Sequence, residues 1–131
     1  RPQRKGLSEN ISVVSVVGDY LEHSRLFYFQ NNTEPKIYGG SADAMVRSFD
    51  RRIESLFLFL NERCKKEAMH VLACNLRDNV NTYILEADGP YTTNIIQKGE
   101  EAFNLHKEFY LVDRKAIDTC NLYEEFLTKK D

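Results

Sequence analysis

The sequence has 131 residues, of which 42% are apolar and 29% are charged, and its formal net charge is −2. This length fits one domain with a single hydrophobic core, and the composition excludes disordered and fibrous proteins. The near-zero charge gives no support for binding to nucleic acid, and no apolar run approaches the ~20 residues that span a bilayer. We therefore expect one domain, residues 1–131, without a transmembrane segment, and the Arg-Pro-Gln-Arg start suggests a piece of a longer protein.

The first predicted element is a short helix before His23, because apolar residues recur at helical intervals. Next, Arg25–Gln30 and Lys36–Gly39 resemble the two strands of a hairpin, with a turn between them. Residues 52–60 are expected to form a third strand. The apolar residues behind the helix prediction are Val13, Val14, Val17, Tyr20 and Leu21.

The second half of the chain alternates helices and strands. Asn61 is a suitable cap for a long helix over residues 61–77. Val80–Glu86 is predicted to be a strand that ends at the turn Asp88-Gly89-Pro90. Residues 99–111 and 114–128 are predicted to be helices. This order favours an α/β layered domain with a mixed β-sheet flanked by helices.

The cysteines indicate a reducing compartment. Cys64, Cys74 and Cys120 are odd in number and contain no CxxC pair, which argues against a disulfide framework or a zinc site. We therefore expect a cytoplasmic protein without a metal site of its own.

The segment Glu22-His23-Ser24-Arg25 carries the clearest chemistry. Side chains alternate faces in an extended stretch, so His23 and Arg25 are expected to point the same way. A guanidinium can hold two phosphate oxygens while a neutral imidazole accepts or donates a proton. This pair therefore predicts a phosphoryl-transfer site.

A second segment, Gly39-Gly40-Ser41-Ala42-Asp43, follows the hairpin. A Gly-Gly-Ser bend can offer backbone N–H groups and a hydroxyl to phosphate oxygens. Either Asp43 or Glu54 could orient His23, and we prefer Glu54. The predicted catalytic residues are therefore His23 and Glu54. The predicted phosphate ligands are His23, Arg25, Ser41, Asp43, Arg47 and Arg51.

Each feature also has an ordinary structural interpretation. A lone histidine after a helix is more often a surface or capping residue, and the two glycines could simply form a turn. Arg47, Arg51 and Arg52 could be a solvated basic face. Taken together and in order, however, these segments resemble the half-site of phospholipase D-like enzymes, with Arg25 in place of Lys and Asp43 in place of Asn.

A closer resemblance covers residues 1–60. The stretches SENISVVSVVGDYLEHSRLFYF and KIYGGSADAMVRSFDRRIESLF resemble the C-terminal catalytic domain of the long bacterial polyphosphate kinases (type 1). The similarity continues loosely through residues 61–77 and the strand after them, then fades after about residue 90. Gly39-Gly40 departs from the usual Ser, Ala44 departs from the usual Trp, and the family's basic ending is missing beyond residue 110.

This resemblance implies a phospholipase D-like fold and reversible transfer of the terminal phosphate of ATP to inorganic polyphosphate. It implies a phosphohistidine on the preceding domain, with His23 as the second active-site histidine. Mg²⁺ would be bound mainly by other domains, the full-length protein would form homo-oligomers, and the isolated domain would be inactive. The alternatives are a phosphodiesterase or nuclease half-site and a non-catalytic interaction domain.

Overall fold

The computed structural model describes residues 1–94, 96–111 and 126. The chain divides into two compact units, one of Arg1–Leu21 with Cys74–Val112 and the other of Glu22–Ala73 with Asp113–Asp131. We call these unit 1 and unit 2 and describe each by itself. The elements are β1 (Val14–Val16), β2 (Leu26–Phe29), β3 (Lys36–Gly40), α1 (Val46–Asp50), β4 (Leu56–Leu58), α2 (Glu62–Arg77), β5 (Thr82–Leu85), β6 (Tyr91–Thr93) and α3 (Leu105–Leu111).

Unit 2 is built on the predicted hairpin. β2 and β3 pair antiparallel, and β4 pairs antiparallel with the other edge of β3. Leu26 lies opposite Gly39, which in turn lies opposite Phe57. Ile37 on the central strand is fully buried, as is expected of an apolar residue between two neighbouring strands. The sequence prediction of these three strands is confirmed.

Unit 1 contains the second sheet, in the order β1-β5-β6, also antiparallel throughout. The helix predicted before His23 is wrong, because Val14–Val16 pairs with Thr82–Ile84 as a strand. Valine is β-branched and fits a pleated sheet better than a helix. The expected single mixed sheet is likewise replaced by two antiparallel sheets, while the presence of both helices and strands is confirmed.

The long helix α2 begins where the sequence predicts. Asn61 Oδ1 accepts hydrogen bonds from the backbone N–H groups of Arg63 (3.0 Å) and Cys64 (3.2 Å), which is the bonding of an N-cap residue. On α2, Cys64 is exposed whereas Cys74 is buried. Among the described residues, no helix is long and apolar enough to cross a membrane.

Asp78 is the polar centre of unit 1. Its buried carboxylate accepts hydrogen bonds from the backbone N–H groups of Asn81 (2.6 Å) and Leu105 (2.8 Å), and from the Asn81 side chain (3.0 Å). The Thr82 hydroxyl donates to the Asp78 backbone carbonyl oxygen and lies 3.3 Å from the carboxylate. One carboxylate thus connects the end of α2, the start of β5 and the start of α3.

His106 on α3 has a similar bridging role. Its Nδ1 accepts a hydrogen bond from the backbone N–H of Asp19 (3.0 Å), and its ring meets Tyr20 edge to face at 5.4 Å. A Cβ atom at Gly18 would collide with this ring.

The helix α3 begins at Leu105, not at residue 99 as predicted. The helix predicted over residues 114–128 lies outside the described residues.

Candidate active site

The candidate site of unit 2 lies at the start of β2 and the end of β3. The chain before β2 is held by Glu22, whose carboxylate accepts a hydrogen bond from the backbone N–H of Ser24 (2.7 Å). In this segment His23 is exposed at the surface, whereas the Arg25 side chain is partly buried. The predicted neighbours His23 and Arg25 are therefore together in the structure.

Arg25 contacts His23 twice. Its NH2 nitrogen lies 2.8 Å from His23 Nε2, and its NH1 nitrogen donates to the His23 carbonyl oxygen at 3.2 Å. A guanidinium can only donate hydrogen bonds, so Nε2 must be the acceptor and the neutral ring carries its proton on Nδ1. Within the part of the chain that the structure describes, no hydrogen bond reaches Nδ1. The polar N–H of His23 therefore remains available to a ligand.

Asp43 fixes the other side of Arg25. Its Oδ1 atom accepts a hydrogen bond from Arg25 Nε at 2.6 Å, with side-chain exposures of 30% for Asp43 and 19% for Arg25. This bond lowers the pKa of the Asp43 carboxyl and raises the pKa of Arg25. Arg47 NH2 lies 3.9 Å from the second Asp43 oxygen. Asp43, Arg25 and His23 thus form a continuous chain of contacts.

This chain of contacts changes the role expected of Arg25. Three of the five N–H donors of a guanidinium are already engaged, by Asp43, the His23 ring and the His23 carbonyl. Arg25 is thereby placed to orient His23 before any phosphate arrives. The i, i+2 spacing predicts the proximity of the two residues. It does not predict that Asp43, 18 positions further along, bonds to Arg25 and not to the His23 ring.

The two glycines do not form the expected bend. Gly39 and Gly40 are the last residues of β3, paired with residues of β2 and β4. The Gly40 N–H donates to the Arg25 carbonyl at 3.1 Å, and the Ser41 N–H donates to the Ser55 carbonyl at 3.0 Å. These two N–H groups are used by the sheet, so the predicted backbone cradle is not present at them.

Ser41 and Glu54 form a separate pair. The Ser41 hydroxyl donates to Glu54 Oε2 at 2.5 Å and accepts from the Ser55 N–H at 3.0 Å. Glu54 acts on Arg25 through its charge, but none of the hydrogen bonds between described residues joins it to His23. The predicted phosphate ligand Arg51 is exposed at the end of α1, where its N–H bonds to the Arg47 carbonyl.

The described residues contain no group of three or more His, Cys, Asp or Glu side chains that could hold a metal ion. Arg25 places positive charge beside His23, Arg47 adds a second positive charge beside Asp43, and the Asp43 carboxylate offsets part of both. Chemically, the site offers one oriented imidazole N–H and one exposed guanidinium. Such a combination suits an anionic oxygen ligand.

Comparison with known proteins identifies the family. The family described as "Polyphosphate kinase C-terminal domain 2" matches residues 1–105. The polyphosphate kinase of Bacillus cereus is 48% identical over 91 residues, covering 70% of this chain and 13% of that protein. The polyphosphate kinase of Bacillus anthracis is 46% identical over 101 residues, covering 77% of this chain and 14% of that protein.

A solved structure agrees with these sequence matches. The crystal structure of the polyphosphate kinase from Porphyromonas gingivalis superimposes with a TM-score of 0.74 and 29% identity, over 79% of this chain and 16% of that chain. The named relatives are all kinases. The chain belongs to the polyphosphate kinase C-terminal domain 2 family. It spans only 13–14% of the length of the two Bacillus relatives.

Proposed function

We propose that this chain is the C-terminal part of an ATP:polyphosphate phosphotransferase, with His23 as an active-site histidine. The observation that carries the proposal is the 2.8 Å contact between Arg25 and His23 Nε2, which fixes a neutral ring. The names of the relatives indicate the reaction class. The resemblance to the family implies that a histidine on the preceding domain is phosphorylated during the reaction. The site would transfer the terminal phosphate of ATP reversibly.

In this proposal His23 acts on the phosphoryl group through Nδ1–H. Phosphoryl transfer depends chiefly on positioning and on neutralising the oxygens of the transferred group. The exposed N–H can donate to one of those oxygens, while Arg47, with a side chain 58% exposed, supplies positive charge nearby. Arg25 and Asp43 are positioning residues that hold the ring.

The remaining parts of the reaction belong to the longer protein. We assign the attacking histidine, the nucleotide base contacts and most Mg²⁺ ligands to upstream domains, and we expect the whole enzyme to form homo-oligomers in the cytoplasm. Mg²⁺ would supply charge neutralisation on the phosphates. The isolated domain would lack these groups, so it is expected to be inactive alone. A phospholipase D-like layering of the complete domain belongs to the same proposal.

The decisive experiment is polyphosphate synthesis from ATP by a full-length protein carrying this domain. His23→Ala should lower turnover at least ~100-fold, the usual scale for a positioned proton donor. His70→Ala is the matched control, since it removes an imidazole from α2 and should leave turnover nearly unchanged. Turnover of the His23 variant close to that of the parent would overturn the role of His23.

The two other interpretations predict different results for the same full-length protein and its His23 variant, measured by phosphodiester hydrolysis and by NMR. A phosphodiesterase half-site would hydrolyse a phosphodiester without needing a nucleotide, and that activity would depend on His23. An interaction domain would show neither activity, and phosphate would not shift the imidazole NMR signals of His23.

A further inference from the structure

A second cluster of positive charge lies in unit 1, at the loop of residues 1–8, which we call the basic loop. Together with the turn at Ala87 and Asp88, this loop lines a cavity of about 470 Å³. Arg1, Arg4 and Lys5 are exposed around it. Asp88 is the acidic lining residue, so the cavity has an excess of two positive charges.

Asp88 offsets one of these three positive charges, and the other two are not offset by any residue that lines the cavity. Across the described residues, none of the three forms an ion pair with a carboxylate. The nearest acidic residue along the chain, Glu9, instead accepts a hydrogen bond from the Gly6 backbone N–H. The basic loop therefore presents unpaired positive charge to solvent.

The basic loop is held in shape by Ser8. The buried Ser8 hydroxyl accepts from the Arg4 N–H at 3.0 Å and donates to the Arg1 carbonyl at 2.8 Å. The Ser8 backbone adds two bonds of 2.8 Å, one from the Gln3 N–H and one to the Arg4 carbonyl. Because these bonds use backbone atoms of the basic residues, their side chains are free to contact a ligand. A loop ordered in advance also loses less entropy when it binds.

We propose that the basic loop binds a linear phosphoanhydride chain, that is, inorganic polyphosphate. The choice of ligand rests on the proposed function, which makes polyphosphate a substrate. Several cations spread over a cavity match a ligand with charge repeated along its length better than they match a single phosphate. None of the lining residues is aromatic, so the cavity has no platform for stacking the bases of a nucleic acid.

The test measures binding of long-chain polyphosphate to this 131-residue chain by calorimetry at several salt concentrations. Arg4→Glu/Lys5→Glu should weaken binding about 10-fold or more and reduce its salt dependence, since two ionic contacts are lost. Lys66→Glu/Lys98→Glu is the matched control, because both lysines are exposed and the net charge changes equally. Asp88→Asn should strengthen binding.

All of these measurements are repeated with His23→Ala, which separates binding at the basic loop from chemistry at His23. Retained binding in that background, with the same response to the loop substitutions, supports the proposal even if the turnover assay refutes the role of His23. Equal weakening in the two double variants would overturn it. Absent polyphosphate binding would do so too, as would equal affinity for single-stranded DNA of the same charge.

Discussion

Ser41, just after the end of β3, and Glu54, just before the start of β4, are joined by a hydrogen bond of 2.5 Å. This bond engages the carboxylate that the sequence analysis preferred as the partner of His23. The Asp43 carboxylate reaches His23 instead, through the Arg25 guanidinium. The two acidic residues of the site are thus expected to differ in their importance for catalysis.

Substitution of the two acidic residues tests this difference. Asp43→Asn removes the charge that holds Arg25 and should lower phosphoryl transfer by the full-length protein about 10- to 100-fold, because a misplaced catalytic group is costly. Glu54→Gln can still accept from Ser41 and should cost less than about 3-fold. The ¹⁵N signals of the His23 ring provide a second readout, which Asp43→Asn should change and Glu54→Gln should not. A larger loss with Glu54→Gln would restore Glu54 as the orienting residue.

The Asp43–Arg25 bond also predicts a pH dependence. Hydrogen bonding to Arg25 lowers the Asp43 pKa from its ordinary value of 3.8, so the bond contributes its full stabilisation above that value. This stabilisation is lost as the pH falls through the lower pKa of the folded state. Carboxyl ¹³C NMR of Asp43 should therefore show a titration midpoint below 3.8. In the Arg25→Gln variant the midpoint should rise, and an unchanged midpoint would contradict the assigned cause.

Gly18 and His106 should be energetically coupled. Gly18→Ala places a methyl group against the His106 ring and should destabilise the chain by about 1–3 kcal/mol, the usual cost of overpacking. In the double variant with His106→Ala the ring is gone, so the added methyl group should cost much less. Urea unfolding of the four proteins of this cycle measures the coupling. Additive changes would show that the two residues do not interact.

Asp78 should be the most sensitive acidic residue of unit 1 to amide substitution. Asp78→Asn replaces one acceptor oxygen by an NH₂ group that faces other N–H donors, at an expected cost of about 2–4 kcal/mol. Asp88→Asn is a control on the surface and should change the free energy of unfolding by less than about 0.5 kcal/mol. Thermal unfolding followed by circular dichroism is sufficient to compare them.

Local sequence signals predicted those parts of the fold that local interactions determine. Asn61 caps α2 through atoms two and three residues away, and the hairpin of β2 and β3 spans a short turn. The helix prediction before His23 is wrong because it rests on the helical spacing of Val13, Val14 and Val17, whereas Val14 and Val16 lie on a strand. Its strand partner lies almost 70 residues further along the chain, where no short pattern points to it.

The candidate site was predictable in composition but less so in geometry. The sequence places His23 beside Arg25 and identifies Asp43 as a polar neighbour. It does not show which of the two carboxylates contacts Arg25, because Asp43 and Glu54 both follow β3 within a short distance. The predicted strand ends at Gly39, and the sequence gives no sign that Gly40 continues it. In the structure an added Cβ at Gly40 would lie 2.8 Å from the Ser55 carbonyl oxygen, so close strand packing explains that glycine.

The use of the Gly40 and Ser41 N–H groups by the sheet has an evolutionary consequence. A backbone cradle binds its ligand through atoms that every residue shares, so its preferences are difficult to alter by point mutation. Under the proposed function, an anion at this end of the sheet is contacted by the His23 and Arg47 side chains, which take no part in the strand pairing. Side-chain contacts of this kind can be altered by single codon changes, while the strands that support them stay intact.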